Sequence, residues 1–426
     1  LGIYKPLAEN LALTKQITKP TKLQKSFIPP ILLNKDVLIR DTTGSGKTFG
    51  VLLSVLNKPR RKMVVGNGVG VGGGNGITSV VVVPNQELAF QLVEWTRELF
   101  PTSSSINTKA DQEQIQRLAQ NPPHVLVATP HRLWDLLQRG VLDLSQIETL
   151  VLDEVDHLIR LPNRFASRKQ VLNRDLHPKP AELAVARTGK GADRIQIVAA
   201  SATMNRPMRY WLETVRGWVQ DPTWVDTTKS VVLPEGIEHH CVIVGSDSVR
   251  NMRFDTSESE KAGEKFRDDD DRMLEGVAMA CQLDEVKSAC VFFCTSFSLK
   301  DLATRFEFEF GLPVKTIQNA FSLHQLPPSS TSTLATTATT NRRSAGIYIA
   351  HEENARGLDL PGLSHVFIVG LPSSPSSYLH MAGRTGRMGE RGEVVTILRD
   401  DEFLEDRARS LFRMLNVKVE PYRHVE

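Results

Sequence analysis

Short apolar runs alternate with amphipathic stretches along most of this chain. Val37-Leu38-Ile39 is followed by a Gly-rich turn and a helical pattern over residues 48–56. Val80-Val81-Val82-Val83 leads into a helical pattern over 86–99, and Val125-Leu126-Val127-Ala128 into another over 131–138. Leu150-Val151-Leu152 ends at an acidic cluster, and the run from Ile195 to Ala199 ends at Ser201. Runs that are apolar throughout, rather than alternating, predict strands of a parallel sheet covered by helices on both faces.

The pattern then restarts. Six further strands are predicted at 241–244, 289–293, 314–317, 346–350, 365–369 and 394–398. Between the two series, residues 226–238 hold Pro234 and Gly236 and read as a linker. The predicted class is α/β, with two doubly wound domains at 1–228 and 241–426 joined by a linker at 229–240. Three stretches read as insertions. Residues 67–76 include six glycines, residues 253–272 are dense in charge, and residues 326–344 are rich in Ser and Thr.

Composition sets limits on this picture. With 426 residues, 40% apolar and 24% charged, the chain resembles an ordinary globular protein with room for two cores. No apolar run reaches the length of a membrane-spanning helix, so no membrane role is expected. A net charge of +3 and a pI near 8.6 are compatible with a nucleic-acid partner without requiring one. The spacing of Cys241, Cys281, Cys290 and Cys294 matches no zinc pattern, so no intrinsic zinc is expected and the thiols read as core residues. The first residue is Leu1 rather than a methionine, and a leader or tail is expected to be missing from this sequence.

Two elements carry the chemistry. Thr43-Gly44-Ser45-Gly46-Lys47-Thr48 follows a strand and opens a helix. Glycines there let backbone N–H groups curl around phosphate oxygens, and the helix N-terminus adds positive potential. Lys47 is then placed to reach the β- and γ-phosphates, and the Thr48 hydroxyl to bind Mg²⁺. The loop departs from the usual spacing in having a single leading glycine, Gly44. The second element is Asp153-Glu154-Val155-Asp156, delivered by an apolar strand to its carboxyl end, where ligands bind in open α/β sheets. Asp153 suits the Mg²⁺ shell, and Glu154 suits positioning or deprotonating an attacking water.

With both elements in place, the chain closely resembles the DEAD-box RNA helicases over nearly its whole length. The resemblance implies two tandem RecA-like domains that clamp ATP and single-stranded RNA. Thr21-Lys22-Leu23-Gln24 is similar to the family's adenine-reading motif, with Gln24 facing adenine. Pro84, Glu87, Thr129, Pro130 and Arg132 fall in stretches similar to those that hold the RNA backbone. Ser201-Ala202-Thr203 is similar to the motif that links hydrolysis to strand separation, with Asp156 and His380 as further coupling residues. Arg356, Gly357 and Asp359 resemble the fifth motif, with Asp359 at the ribose and Arg356-Gly357 on RNA. His380 to Arg387 resembles the sixth, which implies that Arg384 and Arg387 stabilise the transferred phosphoryl as catalytic residues beside Lys47, Asp153 and Glu154.

Several positions depart from the family. Gln86 stands for an arginine, His131 for a glycine, Met381 for an arginine, and His351-Glu352 for a Thr-Asp pair. The paired glycines expected within 102–120 and the Gln-x-x-Arg stretch expected within 321–343 are not evident. Nucleotide-facing positions are kept and RNA-facing ones altered. The resemblance therefore leaves open an RNA helicase, an ATP-gated RNA clamp or assembly scaffold, a ribosome-docked protein with vestigial catalysis, and a DNA helicase. The variant signature, His131, the Asp41-Thr42-Thr43 start of the loop and a nearly absent C-terminal tail resemble fungal mitochondrial DEAD-box helicases of large mitoribosomal subunit assembly. That likeness implies large-subunit ribosomal RNA and pre-ribosomal particles as partners in the mitochondrial matrix.

Overall fold

A computed structural model describes residues 1–60, 76–100, 116, 118, 122–142, 144, 147–162, 166–188, 194–227, 236–246, 248–254, 267–317, 346–357, 360, 362–387 and 390–425. The expected insertions at 67–76 and 326–344 lie almost wholly or wholly outside these residues, as do Asp359 and most of 102–120. The chain divides into two units, residues 1–230 and 231–426.

In the first unit, six parallel strands run β1 (Val37–Arg40), β2 (Ser79–Val82), β3 (Val125–Ala128), β4 (Thr149–Asp153), β5 (Gln196–Ser201) and β6 (Thr223–Asp226). Their spatial order is β3-β2-β4-β5-β1-β6. Alternate side chains of the strands enter two separate cores. Leu38, Val80, Leu126, Leu150 and Ile197 pack on one face. Val37, Ile39, Val81, Val127, Val151 and Val198 pack on the other. That is why the strands read as unbroken apolar runs. Helices Lys22–Leu32, Lys47–Leu56 and Gln86–Leu99 cover the second face. Thr21 and Gln24 form a reciprocal capping box that starts the first of these, and Asn85 caps the last by accepting from Leu88 N.

The second unit has seven strands: β7 (Ile237–Val244), β8 (Val249–Asn251), β9 (Ala289–Phe293), β10 (Val314–Thr316), β11 (Ile347–His351), β12 (His365–Val369) and β13 (Gly392–Arg399). They are ordered β10-β11-β9-β12-β13-β7-β8, parallel except for the antiparallel β7–β8 pair. The same alternation divides Cys290 and Phe292 from Ala289, Val291 and Phe293. Cys241, Cys281 and Cys290 are buried as free thiols, and burial pushes the Cys281 thiol up to about 12. Among the described residues, no helix is long and apolar enough to cross a membrane.

Two strands were absent from the expectation, and a third starts early. β6 and β8 are short edge strands with polar and half-exposed positions, so they carry no apolar run. β7 begins at Ile237, inside the stretch expected as linker, because Ile237 and Glu238 pair in register with Gly392 and Glu393 of β13.

Candidate functional site

β1, β5 and β4 are neighbours, and their carboxyl ends are level. Arg40 lies opposite Ser201, and Ala200 opposite Asp153. The turns that follow these three strands therefore meet at one edge of the sheet, which places the phosphate loop, the acidic cluster and the Ser201-Ala202-Thr203 turn side by side.

The loop after β1 takes its shape from left-handed backbone at Gly44 (φ +77°) and Gly46 (φ +88°). Ser45 Oγ donates to the Thr42 carbonyl at 2.9 Å. Lys47 is 5% exposed, and its ammonium donates to the carbonyls of Asp41 at 2.8 Å and Thr42 at 2.6 Å. Thr43 is half-buried beside it. Gln24 reaches across from its own helix and donates through Nε2 to the Gly46 carbonyl at 3.2 Å. The same side chain accepts from Thr21 N at 3.0 Å. Gln24 thus joins its helix to the phosphate loop.

Thr48 Oγ1 donates to Asp153 Oδ2 at 2.7 Å, although 105 residues separate them. Burial raises the Asp153 carboxyl above its ordinary value, partly offset by the Thr48 hydrogen bond and the Lys47 charge. A hydroxyl and a carboxylate in contact, beside a phosphate loop, are the hard oxygen donors that Mg²⁺ takes. Glu154 is 5% exposed and sits in left-handed backbone at φ +52°, which turns the chain sharply from β4 into the helix Val155–Ile159. Asp156, on the first turn of that helix, accepts from Ser201 Oγ at 2.6 Å and from the Thr203 hydroxyl. Ser201 Oγ also accepts from Thr203 N at 3.0 Å.

The RNA-facing candidates of this unit lie on the adjacent part of the same edge. Pro84 follows β2 and Thr129-Pro130 follow β3, which pairs directly with β2. Glu87 is 7% exposed on the first turn after Asn85. Arg132 donates to Asp135 Oδ2 at 3.0 Å. Gln86 and His131 are exposed.

In the second unit, Arg356 and Gly357 follow the short 3-10 turn Glu352–Ala355 at the carboxyl end of β11. Arg356 is 7% exposed and Gly357 takes φ +70°. His380 is fully buried on the helix Pro375–Ala382. Arg384 Nε donates to the His380 carbonyl at 2.8 Å, and Arg387 Nε to the Gly383 carbonyl at 3.2 Å. Asp359 lies outside the described residues. Glu352, one of the departures from the family pattern, proves structural. Its carboxylate accepts from the backbone N–H of Ser373 at 3.2 Å and from the Ser373 hydroxyl, which fixes the turn after β12. Met381 is fully buried in the core.

The fold and this edge define a protein with two RecA-like units, the first carrying a phosphate loop faced by paired acidic residues. The DEAD/DEAH box helicase model matches residues 21–210, and the helicase conserved C-terminal domain model matches residues 282–389. The chain belongs to the DEAD-box family of ATP-dependent RNA helicases. It is 28% identical over 444 residues to "ATP-dependent RNA helicase DBP8" of Candida albicans, across 99% of this chain and 84% of that protein. It is 26% identical over 437 residues to "ATP-dependent RNA helicase DBP10" of Yarrowia lipolytica, across 94% of this chain but 42% of that one. The fold is similar to that of S. cerevisiae Dbp5 bound to RNA and ADP BeF3, with a TM-score of 0.69 at 18% identity, covering 98% of this chain and 93% of that one.

Proposed function

We propose that this helicase remodels structured RNA, specifically large-subunit ribosomal RNA within pre-ribosomal particles of the mitochondrial matrix. The observation that carries the remodelling is the Asp153-Glu154-Val155-Asp156 segment. At its first residue it meets the phosphate loop through Thr48, and at its last it holds Ser201 and Thr203. One short stretch of chain therefore touches both the groups suited to ATP and the turn after β5.

In this reading Lys47 binds the outer phosphates, and Gln24 orients the adenine while holding the loop at Gly46. Thr48 and Asp153 are the residues that would hold Mg²⁺, which when bound supplies Lewis-acid neutralisation of phosphate charge. Glu154, turned inward by its backbone, orients the attacking water and takes its proton. Arg384 and Arg387 stabilise the charge that builds on the transferred phosphoryl. Pro84, Glu87, Thr129, Pro130, Arg132, Arg356 and Gly357 hold the RNA through its backbone, with little reading of bases.

The test compares the protein with its Lys47→Ala variant on single-stranded and duplex RNA. ATPase activity stimulated by RNA and lost in the variant, together with ATP-dependent strand separation, is the expected result. A Lys47→Ala protein with full RNA-stimulated ATPase activity would overturn it. The cellular part is tested by crosslinking the tagged protein to RNA. Recovery of mitochondrial large-subunit RNA supports it, and a cytosolic or nuclear protein without that RNA removes it.

A second reading, an ATP-gated RNA clamp with little unwinding, is favoured by Gln86, which is exposed where the family pattern has an arginine. The clamp predicts RNA-stimulated ATPase activity without strand separation in the same assays.

A further inference from the structure

The second unit gathers ligand-type side chains at the end of its sheet opposite to Arg356 and Glu352. Asp284 follows the helix Asp271–Leu283 as its C-cap, and His365 opens β12. Glu393, on β13, is the register partner of His365. His365 Nε2 lies 3.5 Å from Glu393 Oε2 and 3.6 Å from Asp284 Oδ2. The three donor atoms all lie within 4.8 Å of one another. His365 is 7% exposed, and its buried Nε2 makes no hydrogen bond.

The other imidazole nitrogen sets the tautomer. Ser364 Oγ donates its hydrogen to the Ser288 carbonyl at 2.9 Å, so it accepts from His365 Nδ1, 2.8 Å away. Nδ1 therefore carries a hydrogen, and in the neutral ring Nε2 presents a lone pair to two carboxylate oxygens. Arg423, His424 and Tyr422 offset part of the carboxylate charge, and a cation among the three converging atoms would offset the rest. The outward oxygens are bound separately. Arg423 Nε donates to Asp284 Oδ1 at 3.0 Å, and His424 Nε2 lies 2.7 Å from that oxygen. Arg423 Nη2 donates to Glu393 Oε1 at 3.4 Å. The Tyr422 hydroxyl donates to the inward oxygen, Asp284 Oδ2, which keeps its second lone pair for His365's side. These donors orient both carboxylates so that Oδ2 and Oε2 face His365, as outer partners orient metal ligands elsewhere.

We propose that Asp284, His365 and Glu393 form a Zn²⁺ site. Nitrogen and oxygen ligands of tetrahedral zinc bind at roughly 2.0–2.1 Å, which sets them about 3.4 Å apart, close to the two separations from His365 Nε2. The imidazole favours zinc over Mg²⁺ or Ca²⁺. Water completes the coordination. The site joins the loop after a helix, two strand starts and the segment 422–424, so a bound ion would tie these segments together. The cysteine spacing gave no hint of it, because its ligands are two carboxylates and an imidazole far apart in sequence.

The test uses the full chain stripped with a chelator, dialysed and titrated with ZnCl₂ alone by calorimetry, with metal content and thermal melting measured in parallel. One Zn²⁺ per chain and a raised Tm are expected. Both effects should disappear in His365→Gln, and affinity should fall at least about tenfold in Glu393→Gln. His365→Cys, which keeps a zinc ligand, should retain binding, separating ligand loss from misfolding. A stripped wild-type chain that takes up no Zn²⁺ would overturn the site. Equal uptake by His365→Gln, as binding at the cysteines would give, overturns it too.

Discussion

Ser201 Oγ donates to Asp156 Oδ1 at 2.6 Å, so the turn after β5 is fastened to the acidic segment after β4. Thr203 adds a second hydroxyl to the same carboxylate. A hydrogen bond to a charged acceptor contributes about 1.5–3 kcal/mol. The double variant Ser201→Ala/Thr203→Ala removes both donors while leaving Lys47, Thr48, Asp153 and Glu154 in place. ATP hydrolysis should stay within about threefold of the parent protein, whereas strand separation should fall at least about tenfold, the equivalent of ~1.4 kcal/mol. Parallel ATPase and unwinding assays check this, and equal losses in the two would place the pair in the hydrolysis step itself.

Gly46 should tolerate no side chain. Its φ of +88° costs an L residue about 1–2 kcal/mol, and an added Cβ would stand 2.9 Å from Gln24 Nε2. Gly46→Ala should therefore lower Tm by several degrees and raise the KM for ATP, because Gln24 must leave the loop. Gln24→Ala should also raise that KM, with a stability loss of about 0.5–1.5 kcal/mol from the lost bond to the Thr21 N–H in the capping box. Thermal melting and ATP titration of both variants decide the matter. Unchanged ATP affinity in Gln24→Ala would separate this residue from the nucleotide.

What could be read from the sequence was what is local. The phosphate loop was legible because strand, glycine turn and helix are contiguous. Asp153 was legible because an apolar strand of fixed length carries it to the sheet edge. The Thr48–Asp153 contact needed only the rule that parallel strands end together. β6 and β8 were not legible, since an edge strand needs no apolar run. Long-range polar clusters were also hidden. Lys58 Nζ donates to Asn34 Oδ1, Thr149 Oγ1 and Gln196 Oε1 at 2.6 Å each, binding three distant segments, and no periodicity announces it. Burial lowers that ammonium to about 8, opposed by Glu148. The same blindness hid Asp284, His365 and Glu393. It also hid the bond by which Glu352 holds Ser373.

Acid should weaken the second unit through His239. This imidazole is 6% exposed, and its Nδ1 lies 2.7 Å from the Tyr378 hydroxyl. Burial, and then the neighbouring His240, lower it from 6.5 to about 4. The folded imidazole therefore refuses a proton that the unfolded one accepts. Stability is complete above about 6.5 and is lost as pH falls from there toward 4. Displacement over that range corresponds to about 3 kcal/mol. Urea unfolding between pH 7 and pH 4 should show this decline. His239→Gln, which does not titrate, should flatten the slope, and an unchanged slope would assign the acid sensitivity to other groups.

The two lost arginines differ in whether they can be restored. Gln86 is exposed on the first turn of the helix Gln86–Leu99, which follows β2, and Thr129 follows the neighbouring strand β3. An arginine there has room to reach a phosphate. Gln86→Arg should therefore tighten single-stranded RNA binding and steepen its dependence on log salt concentration by about 0.7, the value of one added phosphate contact. Met381 is fully buried among Tyr378, Ala382 and Phe412. Met381→Arg would force a guanidinium into that core, at a cost of several kcal/mol, without adding an RNA contact. Filter binding across a salt series, with thermal melting of both variants, tests the contrast. If Gln86→Arg leaves the salt slope unchanged, the first turn of this helix does not meet the RNA backbone.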